Sequence, residues 1–335
     1  MPRRLVVPEQ LKGSPFRGTA VVASGLLTRR QLASQAYVRI ASDLYVVRGD
    51  ERSDDVRRAA LHLLAGDRAV VSGLTAAWLH GAWKPAPGQL VPLELTRPVR
   101  APGTRVQGVG RRRLTLRGSP DLPAPGYGLS ELDDDVVEIG GLAVTSQLRT
   151  CFDLMRQREL VEAVAVADQF AYRCGMPLHL LAAYCDDRRR WPHVRAARVA
   201  VSLAVPGARS PGETRLRMVL VLSGYPEPFV NVDVVDERGG HVATPDLLLW
   251  TRRWVAFEYD GAYHDEGEQP DLDRDRGNDI TTDLDVPTLH YVDKHVRYGR
   301  AGILRSVAKL SDCPPARPLD DRDFSRWVRG GGRRF

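Results

Sequence analysis

The acids Asp246, Glu258 and Asp260 have the types and spacing to do chemistry. Asp246 follows Pro245 at the head of an apolar run, and Glu258 and Asp260 close another, Trp254-Val255-Ala256-Phe257-Glu258-Tyr259-Asp260-Gly261. Residues i and i+2 of a strand point to one face, so Glu258 and Asp260 share a side. A hairpin between the two runs brings Asp246 next to them. Three carboxylates then surround one spot at a strand end. Like charges so close repel, and such a cluster persists best with a cation between them. Oxygen-only ligands favour Mg²⁺ or Mn²⁺ over zinc. Glu213, on a preceding helix, adds a carboxylate or holds a metal-bound water. His264, three residues past Gly261, titrates near neutral pH and suits a general base or a leaving-group acid. The competing reading pairs these acids with Arg252, Arg274 and Arg276 as surface ion pairs.

The elements that must position these groups follow from pattern. Residues Glu213 to Leu222 read as a helix, ended by Ser223-Gly224-Tyr225-Pro226. Phe229 to Val235 alternates as a strand, and Asp236-Glu237-Arg238-Gly239-Gly240 is a hairpin turn. The second strand carries Thr244 to Trp250, and the third carries Trp254 to Gly261. The order helix–strand–strand–strand delivers all the named acids.

A second set of residues lies near the N-terminus. Ala20 to Ser24 is a short helical run interrupted by Gly25, and Thr28 is an N-cap for Arg29 to Ser34. Leu44-Tyr45-Val46-Val47 is a β segment. Two short helices and a hairpin are the layout of a winged helix-turn-helix. Arg29, Arg30, Gln31 and Arg39 then sit on or beside its second helix, where Arg and Gln reach base edges or phosphates. The alternative is a small helical subdomain with solvated arginines.

Charge supports the first layout. Residues 1–118 hold 20 Lys+Arg against 8 Asp+Glu, whereas 119–200 hold 9 against 12 and 201–335 hold 19 against 22. A basic first third favours a polyanionic partner, within a net charge of +6 for the 335 residues. Between the two sets, residues 54–83 show helical spacing, and His80 before Gly81 reads as a packed helix end. Strands are expected at Val91–Leu95, Thr104–Gln107 and Arg111–Arg117, the last carrying Arg111-Arg112-Arg113 as a phosphate-contacting or aggregation-blocking edge. Asp133-Asp134-Asp135 reads as a solvated turn, because neighbours on a strand alternate faces. Helices are expected from Val144 to Leu154, Leu160 to Arg173 and Val194 to Ala204.

No apolar run reaches the ~18 residues of a membrane span, and the N-terminus lacks a signal-peptide core, so a cytoplasmic location without membrane contact is expected. Cys151, Cys174, Cys185 and Cys313 form no CxxC pair, which argues against a zinc ribbon. Gly/Pro-rich stretches at 84–88, 118–128 and 205–212 punctuate the chain. The expected architecture is multidomain α+β. It comprises a winged helix-turn-helix over 1–52, a mixed α/β middle region over 53–204, an α/β domain over 205–315 and a tail over 316–335.

Residues 209–312 resemble the Vsr-like endonuclease domains of the PD-(D/E)xK superfamily. The resemblance rests on the Glu213 helix, Pro245-Asp246, the run Val255 to His264, and Asp273-Arg274-Asp275-Arg276 leading to Leu289-His290-Tyr291-Val292. It implies a restriction-endonuclease-like fold, Mg²⁺ held by Asp246 and Glu258 with Asp260 beside them, catalytic assistance from Glu213 and His264, and hydrolysis of DNA phosphodiester bonds. The sequence departs from the superfamily at Asp260, where a lysine usually orients the attacking water. Arg274 or Arg276 could supply that charge and contact DNA. The first 200 residues resemble AbiEi-type antitoxins of type IV toxin–antitoxin systems. The matching pieces are Gly25 to Leu32, Asp43 to Val47, Thr75 to Gly81 and Val144 to Leu154. That resemblance implies operator DNA and a cognate toxin as partners, and a regulator whose nuclease fold is inert.

Overall fold

In the computed structural model of the chain, residues 6–66, 69–98, 109–114, 116, 135–236, 238–261 and 285–319 are described. The fold is mixed α+β and divides into two compact units, Met1–Thr150 and Cys151–Phe335. Among the described residues, no helix is long and apolar enough to cross a membrane.

The first unit opens with β1 (Phe16–Arg17), α1 (Gly18–Ala23), α2 (Arg29–Leu32), β2 (Tyr37–Ala41) and β3 (Leu44–Val47). The three strands form an antiparallel sheet in the order β1-β3-β2. Leu11, Val21, Leu27 and Tyr37 make its core, with Phe16 set edge-on to Tyr37. The tight turn between β2 and β3 serves α1 as well. Asp43, in the left-handed region at φ 55°, accepts the Thr19 N–H at 2.8 Å and the Thr19 hydroxyl at 2.7 Å. An acid there satisfies a donor that the first turn of a helix leaves open.

The same unit continues with α3 (Asp54–Ala65), β4 (Val70–Val71), α4 (Gly73–Leu79), β5 (Glu94–Pro98), β6 (Gly110–Leu114), β7 (Val136–Ile139), β8 (Leu142–Thr145) and the start of α5 (Gln147–Met155). The five strands lie in the order β6-β5-β4-β8-β7. The strand over Val91–Leu95 is shifted to Glu94–Pro98, where its ladder to β6 runs. The expected strand at 104–107 and the side chains of Arg111–Arg113 fall outside the described residues. His80 ends α4 and sits 2.7 Å from the Thr145 carbonyl through Nε2, so it is packed as expected. Asp135 corrects the solvated-turn reading: it is buried and pairs with buried Arg149 at 2.8 Å.

The second unit has a helical layer, α6 (Leu160–Cys174), α7 (Leu178–Asp187), α8 (Val194–Leu203) and α9 (Pro211–Leu222). Helix α6 is rich in alanine and valine and ends at Gly175, in the left-handed region at φ 63°. Helix α7 is not among the expected helices. Strands β9 (Phe229–Val230), β10 (Val234–Val235), β11 (His241–Ala243), β12 (Leu247–Trp250), β13 (Trp254–Asp260) and β14 (Thr288–Val292) follow, then α10 (Asp293–Tyr298) and α11 (Arg300–Ser311). The main sheet runs β14-β13-β12-β9, and β10 and β11 form a separate ribbon. Helices α9 and α11 pack against β13. Leu216, Val219 and Leu220 of α9 share a core with Leu247, Leu249, Val255 and Phe257 of the sheet.

The expected boundary at 205 lies inside this unit. Buried Asp168 of α6 accepts the Thr214 hydroxyl at 2.8 Å, the Val205 N–H at 2.7 Å and Arg217 at 3.1 Å. Glu162 holds Arg215 through two bonds, at 2.6 and 2.9 Å. These bonds tie α9 to a helix assigned from sequence to another domain. The single strand expected over Phe229–Val235 is two strands, because Asn231 takes φ 49°, a conformation Asn tolerates better than most side chains.

Candidate active site

Helix α9 begins at Ser210, whose hydroxyl accepts the Glu213 N–H at 3.1 Å, with Pro211 in the first turn. A Pro there loses nothing, because that N–H has no helical partner. Gly212 lies flat against the Tyr259 ring, where a Cβ would come within 1.9 Å of a ring carbon. This close approach brings the next residue, Glu213, to the end of β13. Glu213 is buried, and its carboxylate accepts the Arg209 N–H at 2.9 Å and the Asn231 side-chain amide at 2.8 Å.

Asn231 joins both acids. Its backbone N–H donates to the Asp246 carbonyl at 3.0 Å while its side chain serves Glu213. Asp246 precedes β12, and its carboxylate accepts the Tyr259 N–H at 2.7 Å. Burial and then the neighbouring Glu213 raise the Asp246 carboxyl to about 7, Asp260 adding to the rise against the pull of the Tyr259 N–H and Arg209. A carboxyl poised there is half-protonated near neutrality, the range in which a side chain can both hold and release a proton.

Leu247 pairs with Phe257, and alternation from that register puts Glu258 and Asp260 on the sheet face opposite the α9 and α11 core. On the parallel neighbour β14, His290 lies opposite Glu258. Its Nδ1 is 3.8 Å from an Asp260 oxygen, with both side chains about half exposed. The structure thus gathers Glu213 and Asp246 at one point, with Asp260 near enough to act on Asp246, and Glu258 on the same face as Asp260. Among the described residues, no three Asp, Glu, His or Cys side chains close on one another as a metal cage. His264, Arg274 and Arg276 lie outside the described residues. Arg252 faces Asp312 at 3.5 Å rather than the candidate acids.

Sequence reasoning missed Asn231 and His290. Asn231 had no distinguishing signal, since it falls at a polar position of the Phe229–Val235 alternation. His290 had none that is local, since its place depends on a parallel pairing across 32 residues of chain from Glu258.

The DNA-binding candidates fall on two elements. Arg29 and Arg30 are exposed on α2 and Arg39 is exposed on β2, where its Nε donates to the Ala41 carbonyl at 3.2 Å. Gln31 closes a capping box: its side-chain oxygen accepts the Thr28 N–H at 2.8 Å, while the Thr28 hydroxyl accepts the Gln31 N–H at 3.2 Å. That oxygen is thereby committed to the helix start, and only the amide nitrogen is open to a base edge. Helix α2 ends at Leu32, two residues short of the expected Ser34. No family model, no curated protein and no solved structure matches the chain.

Proposed function

We propose that the second unit hydrolyses DNA phosphodiester bonds with Mg²⁺ or Mn²⁺, and that residues 1–52 bind DNA as a winged helix-turn-helix. The observation that carries the hydrolytic reading is Asp246, a carboxyl that burial first, then Glu213 and Asp260 beside it, raise to about 7. An all-oxygen donor set under mutual repulsion fits a hard divalent ion, which would favour the ionised form. Asp246, Glu258 and Asp260 are the residues to hold it, and the ion would have to draw them together, since among the described residues they do not close as a cage by themselves. When bound, the ion would polarise a phosphate oxygen and make its water acidic enough to attack near pH 7. Glu213 fixes Asn231 and keeps Asp246 in place. His264 is assigned the proton transfer, and Arg274 or Arg276 the positive charge that a lysine usually supplies in the PD-(D/E)xK superfamily. The order β1-α1-α2-β2-β3, with exposed Arg29 and Arg30 on α2, supports the DNA-binding half.

A second reading has its own support. Glu213 and Asp246 already accept three hydrogen bonds from within the protein. Acids so engaged suit a nuclease fold that has become inert, in a DNA-binding regulator of the AbiEi antitoxin kind with a toxin as partner. Cleavage of supercoiled and mismatched plasmid with Mg²⁺ or Mn²⁺ separates the two. Cutting by the wild type that Asp246→Ala and Glu258→Ala both abolish establishes the hydrolase. Salt-sensitive binding without cutting, retained by both variants, leaves the regulator.

A further inference from the structure

Three aromatic rings stand in the open at the far end of the face that carries Glu258 and Asp260. Phe229 is 53% exposed, Trp250 48% and Trp254 37%. They are one cluster rather than scattered residues. Trp250 and Trp254 are directly paired across β12 and β13 with ring centroids 4.7 Å apart, and Phe229 lies 6.0 Å from Trp254. The tight turn joining those strands carries exposed Arg252 and Arg253. Between the rings and the acids, Ala243 and Val286 pack over Ala256. Isolated exposed hydrophobics need no explanation, but rings held in mutual contact beside guanidinium groups do.

We propose that Phe229, Trp250 and Trp254 form a stacking platform for unpaired bases of a single-stranded nucleic acid, with Arg252 and Arg253 taking its phosphates. Each ring offers a π-face at modest entropic cost, and aromatic faces stack any base. Arginine forks match phosphate oxygens. A duplex hides its base faces within its own stack, so the platform selects unpaired segments. A protein partner fits poorly. At about 200–250 Å² per ring, the exposed fractions leave roughly 300 Å², well below the ~800 Å² per side of a stable interface. Trp254 and Glu258 are four residues apart on one strand and one face, which is about 13 Å or roughly four stacked nucleotides. Base binding stands by itself. Only its service to hydrolysis, holding a frayed strand beside the acids, rests on the function proposed above.

The test is fluorescence anisotropy of labelled dT10, U10 and a ten-base-pair duplex with the full chain, in EDTA so that hydrolysis is silent. Trp254→Ala is expected to weaken dT10 binding at least about fivefold, and Phe229→Ala with Trp254→Ala more than about tenfold, with the duplex unaffected. Trp254→Phe should keep the affinity. Trp254→Leu, which retains apolar bulk without a ring, should lose it, so a folding defect does not pass for a lost platform. Ring-dependent binding of U10 alone makes RNA the source of the bases, and of dT10 makes it DNA. Equal affinity of wild type, Trp254→Ala and Trp254→Leu for both strands overturns the proposal. So does a wild-type dimer in sedimentation that Trp254→Leu converts to monomer, for the rings then belong to a second copy. Ring-dependent binding in a protein that never cuts DNA removes the hydrolytic reading and leaves the platform.

Discussion

Asp246 is an ordinary aspartate in the unfolded chain, with a carboxyl near 3.9, and a poorly accommodated one when folded, at about 7. The folded state therefore keeps a proton that the unfolded state has lost. The stability tied to that proton is complete below about pH 4 and disappears as pH rises through about 7. Asp246→Asn keeps an oxygen for the Tyr259 N–H but cannot ionise. Its urea midpoint is expected to gain on the wild type between pH 4 and 7 and to hold that gain at pH 8. A gain that does not change with pH would show that crowding of charge is not what burdens the site. The same residue makes a metal prediction. Mn²⁺ should raise the melting temperature of the wild type at pH 8 and leave that of Asp246→Asn unmoved, because the ion rewards only the charged form. That Glu258 and Asp260 share a strand face was legible in the sequence, since a period of two assigns strand residues to faces without tertiary knowledge; the three-carboxylate spot expected with Asp246 does not close as a cage among the described residues. Asn231 and His290 were not legible, because one acts through a left-handed break and the other through a distant strand.

Helix α9 presents Glu213 only because its first turn lies on Tyr259. Gly212→Ala would place a methyl carbon inside the space of that ring, at 1.9 Å. The helix must then lift, at a cost of about 1–3 kcal/mol by the usual measure of overpacking. Glu213 moves with it, so the pH-dependent part of the Asp246→Asn gain should shrink in the Gly212→Ala background. A lower melting temperature with that pH dependence intact would place Glu213 outside the group acting on Asp246. Ser210→Ala removes the cap of the same helix and should cost about 1 kcal/mol in chemical denaturation. Most of this layer was readable: α6, α8, α9, β3 and β13 begin and end within about two residues of where periodicity and caps place them. Two misplacements have separate local causes. The Thr28 box fixes where α2 starts, but nothing local sustains the helix past Leu32, and β12 waits until Leu247 because Pro245 has no N–H for a ladder.

Across the whole chain, the excess of positive charge lies in the first 118 residues, and Arg29 and Arg30 are its exposed representatives on α2. If both contact phosphates, Arg29→Ala with Arg30→Ala should flatten the plot of log affinity against log salt by about 1.8, at ~0.9 per phosphate contact. An unchanged slope would send the DNA to another surface. Division into units was the least legible property, because a Gly/Pro-rich stretch looks like a linker whether or not the helices on either side of it pack together. Here they do, through Asp168 with Arg217 and Glu162 with Arg215. Evolution and protein engineering both trade in segments, and the natural cut for either would be the one at Val205. A chain begun there would inherit Arg217 as a buried cation stripped of Asp168, and an α9 whose cover had stayed behind. Such a fragment should aggregate on expression, whereas one begun at Cys151 should stay dispersed. The β14-β13-β12-β9 sheet and the helices ahead of it therefore form one heritable piece, to be moved together or not at all.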